Sequence, residues 1–278
     1  GRALRWFGPA VALAMLAGAL LVLRRELAGD GYHALSRAVR HTPPERVGWA
    51  LALTALAYLV MAGYDALALR YVARETGTRL PLPRVVGASA AAYAISQSLG
   101  FASVTGNAVR YRFWSAWGLS AAEIGQAAAF VGATFTLGIV GTCGLALALE
   151  PADALGQLGV PVAVARALGL VLLAGVGTYV GWAAVRRGRP LEVRGWRLPV
   201  PSAQTAAAQL VLAAADWAVA AAVLWVLLPE ATDVGFWAFA GAFVIAQCVG
   251  LLSHVPGGVV VFDAVAGGNP LTWATLPQ

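Results

Sequence analysis

The chain has no lysine: all 19 of its basic residues are arginine. In a chain this apolar, such a bias reflects membrane topology and lipid headgroups, so no nucleic acid is expected as a partner. Cysteine is nearly missing too. Cys143 and Cys248 both fall in apolar runs, where they read as inert buried thiols and not as a disulfide or a metal pair. The three histidines, at 33, 41 and 254, are too scattered for a metal site, and no CxxC, HExxH, P-loop or GxSxG pattern occurs. Neither a metal nor a cofactor is expected, and no catalytic set is visible. Charge itself is scarce, at 12% of residues against 60% hydrophobic. With a mean hydropathy of +0.74, that balance excludes a soluble domain and predicts an all-α polytopic membrane protein.

What is present is a series of long apolar runs. A helix is expected over 7–23, too long for the apolar part of a signal peptide and ending in Arg24-Arg25 instead of small residues. A short surface amphipathic helix is expected over 31–41, closed by Pro43-Pro44. Further membrane helices are read over 47–69, 124–149, 167–185, 206–228 and 236–252. That makes about six spanning helices, to which two broken or re-entrant segments are added.

The first broken segment is the centre of the chain. It reads Y-A-I-S-Q-S-L-G-F-A-S-V-T-G-N-A-V-R-Y-R over 93–112. Such a polar, glycine-rich stretch survives at membrane depth only where protein or a water-filled cavity surrounds it. Its second limb, 108–117, would span about 15 Å of helix, half a bilayer, so 85–117 is read as a re-entrant hairpin. With that hairpin the N-terminus and the loops 70–84 and 186–197 share one face, with two, four and five arginines. The positive-inside rule then places the N-terminus in the cytoplasm. The segment 24–46, with five arginines on the other face, is an exception.

The second broken segment resembles the first. I-S-Q-S-L-G-F-A-S at 95–103 faces I-A-Q-C-V-G-L-L-S at 245–253, and T-G-N-A-V at 105–109 faces P-G-G-V-V at 256–260. Asp65 and Asp216 keep almost the same offset, 216 − 65 = 151 residues. The hairpin topology makes the halves, about 47–120 and 201–263, inverted repeats, the arrangement of transporters that bind at the midplane.

Asp65 and Asp216 are costly in a membrane and need partners. They could hold cationic substrate groups or couple to protons, or they could only neutralise arginines and accept hydrogen bonds. Arg110 and Arg112 could clamp a lipid phosphate or anchor the chain at the interface. Gln97, Ser98, Asn107, Gln247 and Ser253 suit a polar cavity, and equally suit cross-helix hydrogen bonds. Gly100, Gly106 and the Pro256-Gly257-Gly258 turn are candidate breaks or hinges, the last flanked by His254 and Asp263.

Together, G-Y-D-A-L-A-L-R-Y-V at 63–72, the 93–112 run, G-L-S-A-A-E-I at 118–124 and S-H-V-P-G-G-V-V-V-F-D at 253–263 resemble the N-terminal membrane domain of the MprF family. Its members make and flip aminoacylated phosphatidylglycerol in the bacterial cytoplasmic membrane. The resemblance covers nearly the whole chain to Asp263 and implies roles in the flippase for Asp65, Arg110, Asp216 and the turn before Asp263. It implies translocation of lysyl-phosphatidylglycerol to the outer leaflet and, with it, resistance to cationic antimicrobial peptides. The implied partners are membrane phospholipids, the C-terminal synthase domain of a parent protein and a second copy in a homodimer. The chain departs from the family at Gly106-Asn107, where two glycines are usual, and at Val260 and Asp263, where glycine and glutamate are. Residues 1–263 are expected to form the flippase-type domain and 264–278 a tail or truncation point, with the aminoacyltransferase domain absent. The alternative is a scaffold or lipid-presenting domain for a phosphatidylglycerol lysyltransferase.

Overall fold

The computed structural model describes residues 42–77, 80–99, 102–149, 161–186, 191–193, 196–198, 200–228 and 235–253. The helix expected over 7–23, the amphipathic helix over 31–41, Gly100, His254, Pro256, Gly257, Gly258 and Asp263 lie outside the described residues. Two compact units divide the chain. Residues 48–244 form one; the other is 1–47 with 245–278, of which the first residues of one helix and the last turns of another are described.

The described chain is helical: α1 (Pro44–Thr76), α2 (Leu82–Leu99), α3 (Ala102–Ala116), α4 (Ala121–Leu149), α5 (Val162–Arg186), α6 (Ala203–Val226) and α7 (Phe236–Ser253). Helices α1, α4, α5 and α6 are long and apolar enough to cross a membrane, and α7 adds a shorter apolar stretch, Phe236–Cys248. The molecule is therefore an all-α polytopic membrane protein. Among the described residues the one non-helical element is a small antiparallel hairpin in the arginine-rich loop. There β1 (Leu191–Val193) pairs with β2 (Trp196–Leu198), with Leu191 opposite Leu198 and Val193 opposite Trp196.

Helix ends follow from local chemistry. Pro44 opens α1, where its fixed φ suits the first turn and its missing N–H costs nothing, and Glu45 faces the positive end of the dipole. Gly77, at φ 77°, closes the helix by donating to the Ala73 carbonyl at 2.9 Å. This end lies seven residues past the expected boundary at 69, because Arg70 and Arg74 extend the helix beyond its apolar run. Asp65 is consequently well inside α1 and not near one end.

The α3–α4 corner is specified residue by residue. Gly118 takes φ 93°, and the Leu119 N–H reaches back to the Trp114 carbonyl at 3.1 Å. Two residues later Ser120 and Glu123 form a reciprocal capping box. The Ser120 N–H donates to Glu123 Oε2 at 2.7 Å and the Glu123 N–H to Ser120 Oγ at 3.3 Å. The G-L-S-A-A-E-I motif is this corner.

Within the stretch expected to form a re-entrant hairpin, α2 packs on α3. The second limb has 15 residues, about 22 Å of helix, against the ten expected. The difference lies at Gly106, read as a break from sequence but found inside α3. An intact helix keeps its backbone bonds satisfied, and the missing side chain serves packing instead. A Cβ at Gly106 would meet Arg110 Nη1 at 3.1 Å and Ser96 Cβ at 3.4 Å.

Two kinds of packing hold the unit. Ala68, Leu69 and Val72 of α1 join Val85, Trp114, Leu119, Ile124, Ala127 and Phe130 in a buried apolar cluster. Between the long helices, small residues let backbones approach. Gly138 of α4 faces Ala213 of α6, and a Cβ at Gly169 of α5 would meet the Gly144 carbonyl oxygen of α4 at 2.7 Å. The outward faces carry bare apolar side chains such as Leu51, Leu59, Leu170, Val171 and Val211, as a lipid-facing surface requires.

Candidate functional site

Three elements bring charge together inside the unit. From α1, Asp65 is fully buried, at 0% exposure. From α3, Arg110 meets it: the Nε–H is shared between Oδ1 at 2.9 Å and Oδ2 at 3.0 Å. From α2, the buried Ser89 hydroxyl donates to Oδ2 at 2.5 Å. Two charges taken from water persist only with this kind of pairing. The guanidinium also lies over the Tyr93 ring, with Cζ 4.5 Å from the centroid, a cation–π contact.

The pairing is incomplete on the arginine side. Nη2 is buried with no hydrogen-bond partner among the described residues. One turn along the same helix, Trp114 Nε1 is buried and unpartnered too. A buried donor without an acceptor costs about 1–3 kcal/mol, so this end of α3 is built with unspent donor capacity.

The second acid has the opposite deficit. Asp216 of α6 is half-buried, and Tyr64, the residue before Asp65 on α1, donates its hydroxyl to Oδ2 at 3.1 Å. Among the described residues no cation lies within ion-pair distance of Asp216. Tyr93 lies within electrostatic reach of Asp65, Arg110 and Asp216 alike. One acid and the tyrosine that holds the other are thus adjacent on α1.

Of the residues singled out from sequence, Asp65 and Arg110 meet directly, while Asp216 bonds Tyr64, the neighbour of Asp65 on α1. Asn107 and Arg112 lie on the exposed side of α3 and take no part in the cluster. Gln97 and Ser98 sit in the last turn of α2 and Ser253 ends α7, with backbone alone described, while Gln247 is half-buried in α7. Tyr64, Ser89 and Tyr93 were not anticipated. For Ser89 and Tyr93 the only signal was weak spacing, since with Ser96 they recur at helical intervals in an alanine-rich stretch; Tyr64 left none.

A separate polar contact ties the long helices. Gln209 of α6, fully buried, donates through Nε2 to Thr134 of α4 at 2.7 Å and accepts from the Tyr179 hydroxyl of α5 at 2.7 Å. Thr134 passes its own hydrogen to the Phe130 carbonyl at 2.8 Å. Among the described residues no cluster of three or more metal-binding side chains occurs.

No family model matches the sequence. "Uncharacterized protein slr0712" of Synechocystis sp. is 34% identical over 220 residues, covering 79% of this chain and 67% of that protein. "Inner membrane protein YbhN" of Escherichia coli is 28% identical over 216 residues, covering 78% of this chain and 66% of its own length. The match thus spans about two thirds of each relative. At that identity and coverage, and with a helical membrane fold, the chain belongs to the YbhN-like family of membrane proteins that these two represent.

Proposed function

We propose that this chain translocates a phospholipid headgroup across the cytoplasmic membrane of a bacterium, the substrate being an aminoacylated phosphatidylglycerol of the lysyl type. The observation that supports it is the formal charge of the buried site. Asp65 (−1), Arg110 (+1) and Asp216 (−1) sum to −1 among the described residues. A lysyl-phosphatidylglycerol headgroup carries one phosphate and two ammonium groups, −1 + 2 = +1, and brings the total to zero. Phosphatidylglycerol would bring it to −2, an expensive charge in a low-dielectric interior. The unspent donor on Arg110 suits a phosphate oxygen, for which guanidinium groups have matching geometry.

In this reading the two acid-bearing halves are inverted repeats around a central cavity, α2 and α3 form a re-entrant pair, and the acyl chains stay in lipid while the headgroup crosses. The inner-membrane designation of the Escherichia coli relative and the MprF resemblance support the location. The arginine-rich loops support a cytoplasmic N-terminus. The lipid would come from a synthase, either joined to a parent protein or separate.

The test is outer-leaflet aminoacyl-lipid in cells supplied by a separate synthase, with this chain present or absent. A rise that disappears with Arg110→Ala supports translocation. Unchanged exposure, with the protein folded in the membrane and lipid synthesis increased, would instead make the chain a scaffold for the synthase.

A further inference from the structure

The two acids do different work. Asp65 is spent: both carboxylate oxygens accept from Arg110 Nε–H, and one also accepts from Ser89. Arg110 can bond an acceptor through Nη2 without releasing Asp65, because Nε faces the carboxylate while Nη2, buried beside it, has no hydrogen-bond partner among the described residues. Asp216 is unspent. Its one hydrogen-bond donor among the described residues is the neutral Tyr64 hydroxyl. It is also half-buried where Asp65 is sealed, so a ligand can reach it.

The described groups around Asp216 are aromatic, small or neutral, and none is a cation. Helix α1 presents Tyr64 and α2 presents Tyr93. At this level α4 presents Phe135 and Gly138, against Trp217 and Ala213. The tyrosine of α5, Tyr179, is engaged with Gln209, two turns away along α6. A carboxylate with spare lone pairs beside tyrosine rings binds a primary ammonium through charge-assisted hydrogen bonds, with the rings adding cation–π attraction.

We infer that Asp216, steadied by Tyr64, is the ammonium subsite that distinguishes an amino-bearing phospholipid headgroup from phosphatidylglycerol, and that Asp65, anchored by Ser89, is a positioning residue that aims Arg110 at the phosphate. This assignment rests on the headgroup-binding reading above. The ammonium contact is a charge-assisted hydrogen bond, so it contributes selectivity of about tenfold or more. The positioning role contributes affinity without selectivity, because every phospholipid headgroup offers the same phosphate.

The test is binding by purified full-length chain in detergent, titrated with short-chain (dioctanoyl) phosphatidylglycerol and its alanyl ester and read by native mass spectrometry. The alanyl form carries one ammonium and isolates the subsite. Wild type is expected to prefer the alanyl lipid about tenfold or more. Asp216→Asn removes the preference: alanyl-lipid affinity falls, while phosphatidylglycerol affinity holds or rises because one negative charge has left the site. Asp65→Asn weakens both lipids together and keeps the ratio. Should Asp65→Asn fold poorly, Ser89→Ala gives the same parallel weakening in smaller measure. Equal wild-type affinities, a preference that survives Asp216→Asn, or one that collapses in Asp65→Asn or Ser89→Ala would each overturn the assignment. Selective binding without any movement of lipid between leaflets in reconstituted vesicles would sink translocation alone and leave the subsite standing.

Discussion

Breaking the Asp65–Arg110 pair from one side should cost far more than removing it. In Asp65→Asn the amide keeps the shape and can still accept from Ser89, but it leaves a guanidinium 5% exposed with no counter-charge. In Arg110→Gln a fully buried carboxylate keeps only the Ser89 hydroxyl. Stranding a buried charge costs about 3–5 kcal/mol, so each single variant should lose that much stability. The double variant Asp65→Asn/Arg110→Gln buries two neutral amides within reach of each other and of Ser89. It should lose no more than about 2 kcal/mol, since the desolvation penalty of both ions vanishes with their attraction. The coupling energy is then at least about 4 kcal/mol, well above the scatter of independent sites. Reversible unfolding in mixed micelles, followed by tryptophan fluorescence, measures all four corners of the cycle. The double variant should fold and yet fail to expose aminoacyl-lipid, because the donor that reaches the phosphate is gone. Additive losses, or single variants that each cost under about 1 kcal/mol, would show that the pair is hydrated in the membrane and refute the reasoning.

Four further outcomes follow from the packing. Gly106→Ala gains up to about 1 kcal/mol of helix propensity but sets a methyl group 3.1 Å from Arg110 Nη1. Thermal stability should therefore change little while lipid exposure falls; a large drop in melting temperature would contradict that. Gly169→Ala places its Cβ within 2.7 Å of the Gly144 oxygen and 2.8 Å of the Ala148 nitrogen. Those are backbone atoms that cannot turn aside, so overpacking of about 1–3 kcal/mol or more is expected in the same unfolding assay. Gln209→Leu removes its bonds to Thr134 and Tyr179 and should cost about 1–3 kcal/mol, whereas Arg112→Gln, on the exposed face of α3, should stay within about 0.5 kcal/mol of wild type.

Much of this fold was legible because membrane helices announce themselves by length and hydropathy. α4 began three residues before its expected start at 124 and ended where expected, at 149. Boundaries failed where polar residues continue a helix beyond its apolar run, as at Arg70 and Arg74. Gly106 was misread for a related reason. Glycine signals a break or a close contact equally well, and only the neighbouring guanidinium decides between them. Asp65, Arg110 and Asp216 were legible as charges that hydrocarbon would not tolerate alone. Which acid the arginine takes was not, since the pair is 45 residues apart and depends on how α1 and α3 cross. Ser89 and Tyr64 were hidden for the opposite reason: a hydroxyl in an alanine-rich helix is ordinary until a carboxylate is found beside it. The 118–124 motif is a further lesson, because what resembled a family signature is a helix stop followed by a helix start.

The glycine contact between α4 and α5 also bears on how the protein enters the bilayer. Gly144 lies near the end of α4 and Gly169 near the start of α5, so the contact joins residues only 25 apart along the chain. Contacts this close along the chain form early, since little loop entropy opposes them. Two apolar helices that already touch through small residues can partition into lipid as a single helical hairpin, ahead of α6. Thr134 meanwhile keeps its hydroxyl satisfied on the Phe130 carbonyl. The arrival of Gln209 then docks the third helix onto a pair that biogenesis has already set in place.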